Sequence, residues 1–192
     1  MQVSSNRWRT VDVVVASVIA VAFGVVFWAW DQLYNGPANA IPMPGRALLT
    51  GVWLVPAVLG PMVIRKPGAG IYVEFLAALI SALLGTPWGL AVILYGLFQG
   101  VGGELAFALT GYRVYRLPVA LVGGVFAGVA AALLDLTIYY GSWSAASKWE
   151  YAGVAVLSCT IIAGAGSWAL QRALAQTGVL DRFASGRERA AV

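Results

Sequence analysis

The sequence predicts an all-α integral membrane protein with six transmembrane helices in one bundle and both termini cytoplasmic. Three observations carry that prediction. Apolar blocks at residues 11–33, 47–64, 68–86, 87–111, 117–140 and 150–172 each approach or exceed the ~20 residues that cross a hydrocarbon core. With 60% apolar and only 10% charged residues, a soluble chain of this length has too little polar surface to cover itself. Threading the blocks with the N-terminus inside leaves Arg7, Arg9, Arg65, Lys66, Arg113, Arg116, Arg172, Arg182, Arg187 and Arg189 in cytoplasmic segments, and only Arg46 and Lys148 outside. The opposite orientation inverts the positive-inside rule. The net charge of +4 therefore orients the chain and meets anionic lipid; it does not mark a nucleic-acid groove.

The first block exceeds a signal h-region and lacks a clear small-residue cleavage site, so it is expected to stay as the first helix. It ends in Trp28, Trp30 and Tyr34, residues suited to the outer interface. Residues 35–46 follow with three prolines and two glycines, which discourage helix and favour an ordered, turn-rich segment or a lid. Helix two descends to the inside turn Arg65-Lys66-Pro67-Gly68. Helix three returns to a tight outer turn, Gly85-Thr86-Pro87-Trp88, and the glycine-rich helix four reaches Tyr112 and Arg113. Helix five climbs from Pro118 to Tyr140, residues 141–150 form a second outer loop with Trp143 and Trp149, and helix six descends to the basic tail. Residues 1–175 are thus read as one six-helix membrane domain and 176–192 as a basic cytoplasmic tail.

Small residues recur every four positions: Ala16, Ala20 and Gly24; Ala77, Ser81 and Gly85; Gly124 and Gly128. Such rows let helix backbones approach closely in lipid. In helix one the row lies opposite a bulkier strip with Phe23 and Phe27, so Ala16, Ala20 and Gly24 are expected to dock onto another membrane subunit.

Four polar residues lie inside the apolar blocks: Glu74, Gln99, Glu104 and Asp135. Intramembrane carboxylates need partners or a function. Glu74 and Gln99 lie equally far from the outer turn on antiparallel helices, about 18 Å at 1.5 Å per residue, and can face one cavity. Glu104 is five residues beyond Gln99 and points elsewhere on an ideal helix, although Gly100, Gly102 and Gly103 weaken that geometry. Asp135 and Tyr139, one turn apart, suit a pocket entrance.

Among the aromatics, Trp88 and Trp143 fit an interfacial belt. Trp53 and Tyr95 lie deeper and are the better site candidates. Trp88, Tyr95 and Gln99 fall on one helical stripe by their spacing. Carboxylates, an amide and aromatic faces suit a flat, polar or cationic organic ligand, through stacking, cation–π attraction and charge-assisted hydrogen bonds.

Several chemistries drop out. The chain has no His and a single cysteine, Cys159, so there is no His-based dyad, triad or metal site, no thiolate cluster and no intramolecular disulfide. No Walker loop appears, and the run Gly164-Ala-Gly166-Ser-Trp-Ala169 matches a dinucleotide pattern only inside a membrane helix with no preceding strand. No catalytic residue and no cofactor is assigned.

The stretch Lys66-Pro67-Gly68-Ala69, Glu74 and the run from Gln99 through Gly100, Gly102, Gly103 and Glu104 to Phe107 resemble the YkoE family, substrate-binding S components of energy-coupling factor (ECF) transporters. The resemblance runs from Asp12 across Trp53 to Tyr112 and Arg113, about the first two-thirds of the chain. It implies a six-helix protein of the cell membrane, without enzymatic activity of its own, that captures thiamine or its hydroxymethylpyrimidine precursor from outside. A transmembrane coupling subunit and two cytoplasmic ATPases are the implied partners. The resemblance also implies a first outer loop that closes over ligand, and a coupling contact at the spacing of Ala16, Ala20 and Gly24. An S component for another vitamin, or a membrane scaffold or proton-conducting protein using Glu74 and Glu104, are the alternatives.

Overall fold

A computed structural model describes residues 6–187; these are helical with no strand, and five helices are long and apolar enough to cross a membrane alongside one shorter apolar helix. Helix α1 spans Thr10–Asn35, α2 Gly45–Ile64, α3 Ala69–Leu83, α4 Ala91–Leu109, α5 Leu117–Ile138 and α6 Ala145–Gln176. The spans match the six apolar blocks to within a turn or so at each end.

Helix α1 starts where the Asp12 carboxylate reaches back to accept from the Arg9 N–H at 2.8 Å, satisfying an orphan donor of the first turn. Its buried residues, Asp12, Ala16, Ala20, Gly24, Phe27, Asp31 and Tyr34, repeat every three or four positions and form one stripe. That stripe packs against α3 of the same chain. A Cβ added at Gly24 would sit 2.6 Å from Ile80 and 3.0 Å from the Ala77 carbonyl oxygen, and Ser17 Oγ lies 2.8 Å from the Tyr72 hydroxyl along the same seam. The expectation that Ala16, Ala20 and Gly24 dock onto another subunit is therefore corrected: all three are buried inside this bundle. The outward face of α1 is instead valine-rich, with Val14, Val18, Val21 and Val25 exposed.

Helix α2 begins as a 3₁₀ helix over Gly45–Leu54 and continues as α-helix over Val55–Ile64. All ten residues of the second half are buried, which makes α2 the centre of the bundle, as an all-round apolar helix should be. The glycines of α4 allow three neighbours to reach its backbone. An added Cβ would meet Ala78 of α3 at 2.5 Å from Gly96, Phe126 of α5 at 2.8 Å from Gly102, and the Ala57 carbonyl of α2 at 2.6 Å from Gly103. Despite those glycines α4 is continuous through Leu109, so close packing supplies what propensity does not. Gly124 and Gly128 of α5 likewise approach α6, with an added Cβ 2.6 Å from the Cys159 carbonyl oxygen and 2.9 Å from Cys159 Cβ respectively.

Helix α6 starts at Ser144, whose hydroxyl accepts from the Ser147 N–H at 3.2 Å, and contains a π-helical turn over Thr160–Ala165. After α6 the chain folds back instead of leaving the bundle. Leu180 and Phe183 are buried, the Ser185 hydroxyl donates to the Val63 carbonyl at 2.8 Å, and the guanidinium of Arg9 lies 5.8 Å from the Phe183 ring. The first part of the expected tail is thus packed onto the end that carries the Arg65–Lys66 turn; Arg189 and residues 188–192 lie outside the described residues. At that same end Lys66 Nζ donates to the Arg7 carbonyl at 2.7 Å, and the Trp8 indole N–H donates to the Pro67 carbonyl at 3.0 Å.

Candidate functional site

Toward the opposite end, where the loops at 36–44, 84–90 and 139–144 lie, the helices enclose a cavity of about 80 Å³. The close approach of α3 and α4 at Gly96 and Gly100 sets its depth. Glu74 from α3 and Gln99 from α4 line that part, and both are buried. Glu74 is 1% exposed, and neither of its carboxyl oxygens has a hydrogen-bond partner among the described residues. The Ala57 backbone N–H points toward the carboxyl without reaching hydrogen-bonding geometry. A bare carboxyl in hydrocarbon is costly, so its retention points outward to something the cavity receives.

The other two acids of the cavity are satisfied by the protein. Asp135 of α5 accepts from the Tyr95 hydroxyl at 2.8 Å and from the Tyr151 hydroxyl at 2.6 Å. Asp31 of α1 accepts from the Trp53 indole N–H at 2.8 Å, the Thr86 hydroxyl at 2.5 Å and the Ser81 hydroxyl at 3.3 Å. Aromatic rings close the outer part: Trp88 lies 5.7 Å from Tyr139, and Tyr139 stacks on Tyr95 at 6.4 Å and 29°. Tyr140 stacks on Trp143 at 4.2 Å, with Tyr151 below. A short 3₁₀ turn over Pro37–Ala40 leads to Arg46, whose guanidinium lies 4.6 Å from the Tyr34 ring and donates to Asn39 Oδ1.

Six of the residues singled out from sequence, Glu74, Gln99, Trp53, Tyr95, Asp135 and Tyr139, line this one cavity. Glu104 does not. Its carboxylate lies at the other end of α3, accepting from the Gly68 N–H at 2.7 Å and the Gly70 N–H at 2.6 Å, and so caps the helix from α4. Beside it, burial and then the Glu104 charge push the Tyr112 hydroxyl up to about 12. Trp88, read as a belt residue, is also corrected: it lines the cavity. Sequence reasoning missed Asp31, Ser81, Thr86, Tyr34, Tyr140 and Tyr151. For Asp31 a signal existed, since it continues the four-residue stripe of Ala16, Ala20 and Gly24 through Phe27.

A six-helix membrane bundle closed round a polar and aromatic cavity near one end defines the substrate-capturing class of transport subunit. The family model described as "ABC-type cobalt transport system, permease component" matches residues 11–130. The "Putative HMP/thiamine permease protein YkoE" of Bacillus subtilis (strain 168) is 34% identical over 184 residues, covering 95% of this chain and 92% of the relative. A solved structure described as an S-component of ECF transporter superposes with a TM-score of 0.92 at 33% identity, covering 96% of this chain and 94% of the other. The chain belongs to the YkoE family of ECF transporter S components, and it is a multi-pass protein of the cell membrane.

Proposed function

We propose that this S component captures thiamine or its hydroxymethylpyrimidine precursor in the cavity and hands it to a transmembrane coupling subunit driven by two cytoplasmic ATPases, with no catalysis of its own. The observation that carries this reading is Glu74, a buried carboxyl that lines the cavity and has no hydrogen-bond partner among the described residues. An aminopyrimidine offers a flat ring and an exocyclic amine, so Glu74 can accept from the amine while Gln99 supplies both a donor and an acceptor. Trp53, Tyr95 and Tyr139 offer faces for the ring, and Asp135 can offset a thiazolium charge. The name of the Bacillus relative, an HMP/thiamine permease, supports the same ligands. The cobalt in the description of the family model finds no donor set here: among the described residues no three His, Cys, Asp or Glu side chains converge to hold a metal. Proton conduction through Glu74 and Glu104 is less favoured, because Glu104 is engaged by two backbone N–H groups.

Calorimetry on the purified chain against thiamine, hydroxymethylpyrimidine, riboflavin and biotin tests the proposal. Saturable binding of one of the first two is expected. Binding of riboflavin or biotin alone would move the assignment to another vitamin, and binding of none would end it.

The cation distribution supports a cytoplasmic placement of both termini, with the cavity facing outward. Single cysteines in a Cys159→Ser background check this at exposed positions. Cysteines replacing Ala40 and Ser142 are expected to react with an impermeant reagent on intact cells, and one replacing Val179, itself 63% exposed, is expected not to. The reverse pattern refutes the orientation.

A further inference from the structure

Asp31, like Asp135, is a cavity carboxylate satisfied by donors of the protein itself. It is 1% exposed, and three protein donors occupy its oxygens: Trp53 Nε1–H on Oδ1, and the hydroxyls of Thr86 and Ser81 on Oδ2. A carboxylate has about four lone-pair sites, so little acceptor capacity remains for a ligand.

The groups that Asp31 holds form the aromatic side of the cavity. The Trp53 indole meets the Tyr34 ring edge-on at 5.0 Å and 70°, and Tyr34 lies 6.0 Å from Trp88. Thr86, bound to Asp31, also accepts weakly from the Trp88 N–H at 3.4 Å. One buried side chain on α1 therefore ties down rings arriving from α2 and from the α3–α4 turn. Trp53 is only half-buried, and the terminal torsion of an aromatic side chain is broad, so packing alone leaves its ring plane underdetermined. The indole N–H bond supplies the missing constraint.

We propose that Asp31 is a positioning residue of the capture site: it fixes the Trp53 ring so that a flat ligand meets a preset aromatic wall. Holding that wall before the ligand arrives removes part of the ordering cost of binding. The proposal rests on the cavity being the capture site for thiamine or its pyrimidine. Asp31 acts through Trp53 and does not itself contact the ligand.

Two measurements on the full chain in detergent test it. The first needs no ligand. In protein carrying ¹⁵N-labelled tryptophan, the Trp53 indole N–H resonance is identified by its disappearance in Trp53→Phe. Asp31→Ala is expected to move that resonance upfield and to speed its exchange with solvent, and Asp31→Asn, which keeps an acceptor, is expected to restore most of the original behaviour. The second is a double-mutant cycle by calorimetry with thiamine. Asp31→Ala is expected to weaken binding about tenfold when Trp53 is present and less than about twofold in the Trp53→Phe background, because the effect is transmitted through the indole N–H. Should Asp31→Ala fail to fold, Asp31→Leu fills the space without an acceptor and runs the same cycle.

Equal losses in both backgrounds would show that Asp31 acts independently of Trp53 and overturn the proposal. A Trp53 resonance that Asp31→Ala leaves in place would overturn it with or without ligand. A wild-type chain that binds neither thiamine nor its pyrimidine would overturn the functional reading, while the resonance would still decide whether Asp31 orients Trp53.

Discussion

Replacing Glu74 with Gln is expected to weaken binding of thiamine and of its pyrimidine precursor about tenfold to a hundredfold, while the empty protein stays as stable as before or gains stability. The two effects separate because Glu74 has no hydrogen-bond partner among the described residues. A ligand that donates to a carboxyl makes a charge-assisted hydrogen bond of about 1.5 to 3 kcal/mol, which is where the range of affinity comes from. The apo protein loses no bond on substitution and sheds an unpaired acid from a buried position, so folding is not penalised. Glu104→Gln is the matched control and should behave in the opposite way. Its carboxylate accepts from the Gly68 and Gly70 N–H groups, which are left under-satisfied when one oxygen becomes a donor amide, at about 1 to 3 kcal/mol. Glu104 does not line the cavity, so ligand affinity should hold. Calorimetry and thermal melting of both variants in one detergent read the four quantities. A well-folded Glu74→Gln protein with wild-type affinity for both ligands would remove Glu74 from the binding site.

The contrast between these two glutamates shows where the sequence is legible. Both sit in apolar blocks, and both were candidates because a membrane carboxylate needs a reason to be there. Distance from the outer turn separates them, since Glu74 and Gln99 are level with one another and Glu104 is deeper. What sequence cannot supply is the partner. Glu104 finds its donors on backbone amides 34 and 36 residues away, and such amides exist at every helix start. The helical spans were readable because lipid imposes length and apolarity on each of them. The π-helical turn of α6 was not, because it depends on where α5 and α6 touch. Asp31 was overlooked for a related reason. Near the end of the first apolar block it passes for an interfacial residue, and only a helix one whose small residues face inward carries the stripe on to it. Trp88 is similar: its depth is that of a belt residue, while the turn before α4 aims it at Tyr34 and Tyr139.

The direction of that stripe leads to the largest stability effect expected here. Gly24→Leu should prevent the isolated chain from reaching its native fold, and Gly24→Ala should already lower its stability by about 1 to 3 kcal/mol. A Cβ at position 24 would lie 2.6 Å from both Cβ and Cγ2 of Ile80 and 3.0 Å from the Ala77 carbonyl oxygen. These are not the free ends of flexible side chains. Ile80 branches at the atom that is struck, and the carbonyl belongs to the backbone of α3, so relief requires the two helices to separate along a seam that also holds Ala16 and Ala20. Separation at Gly24 would also disturb Asp31, two turns further along the stripe, and with it the Trp53 side of the cavity. Val21→Leu and Val25→Leu, placed on the outward face where these valines are 50% and 48% exposed, should leave the fold intact. Melting temperature and monodisperse yield of the four purified variants distinguish the two pictures of helix one. An isolated Gly24→Leu protein that folds and melts like the wild type would mean that the row is open to a partner subunit after all.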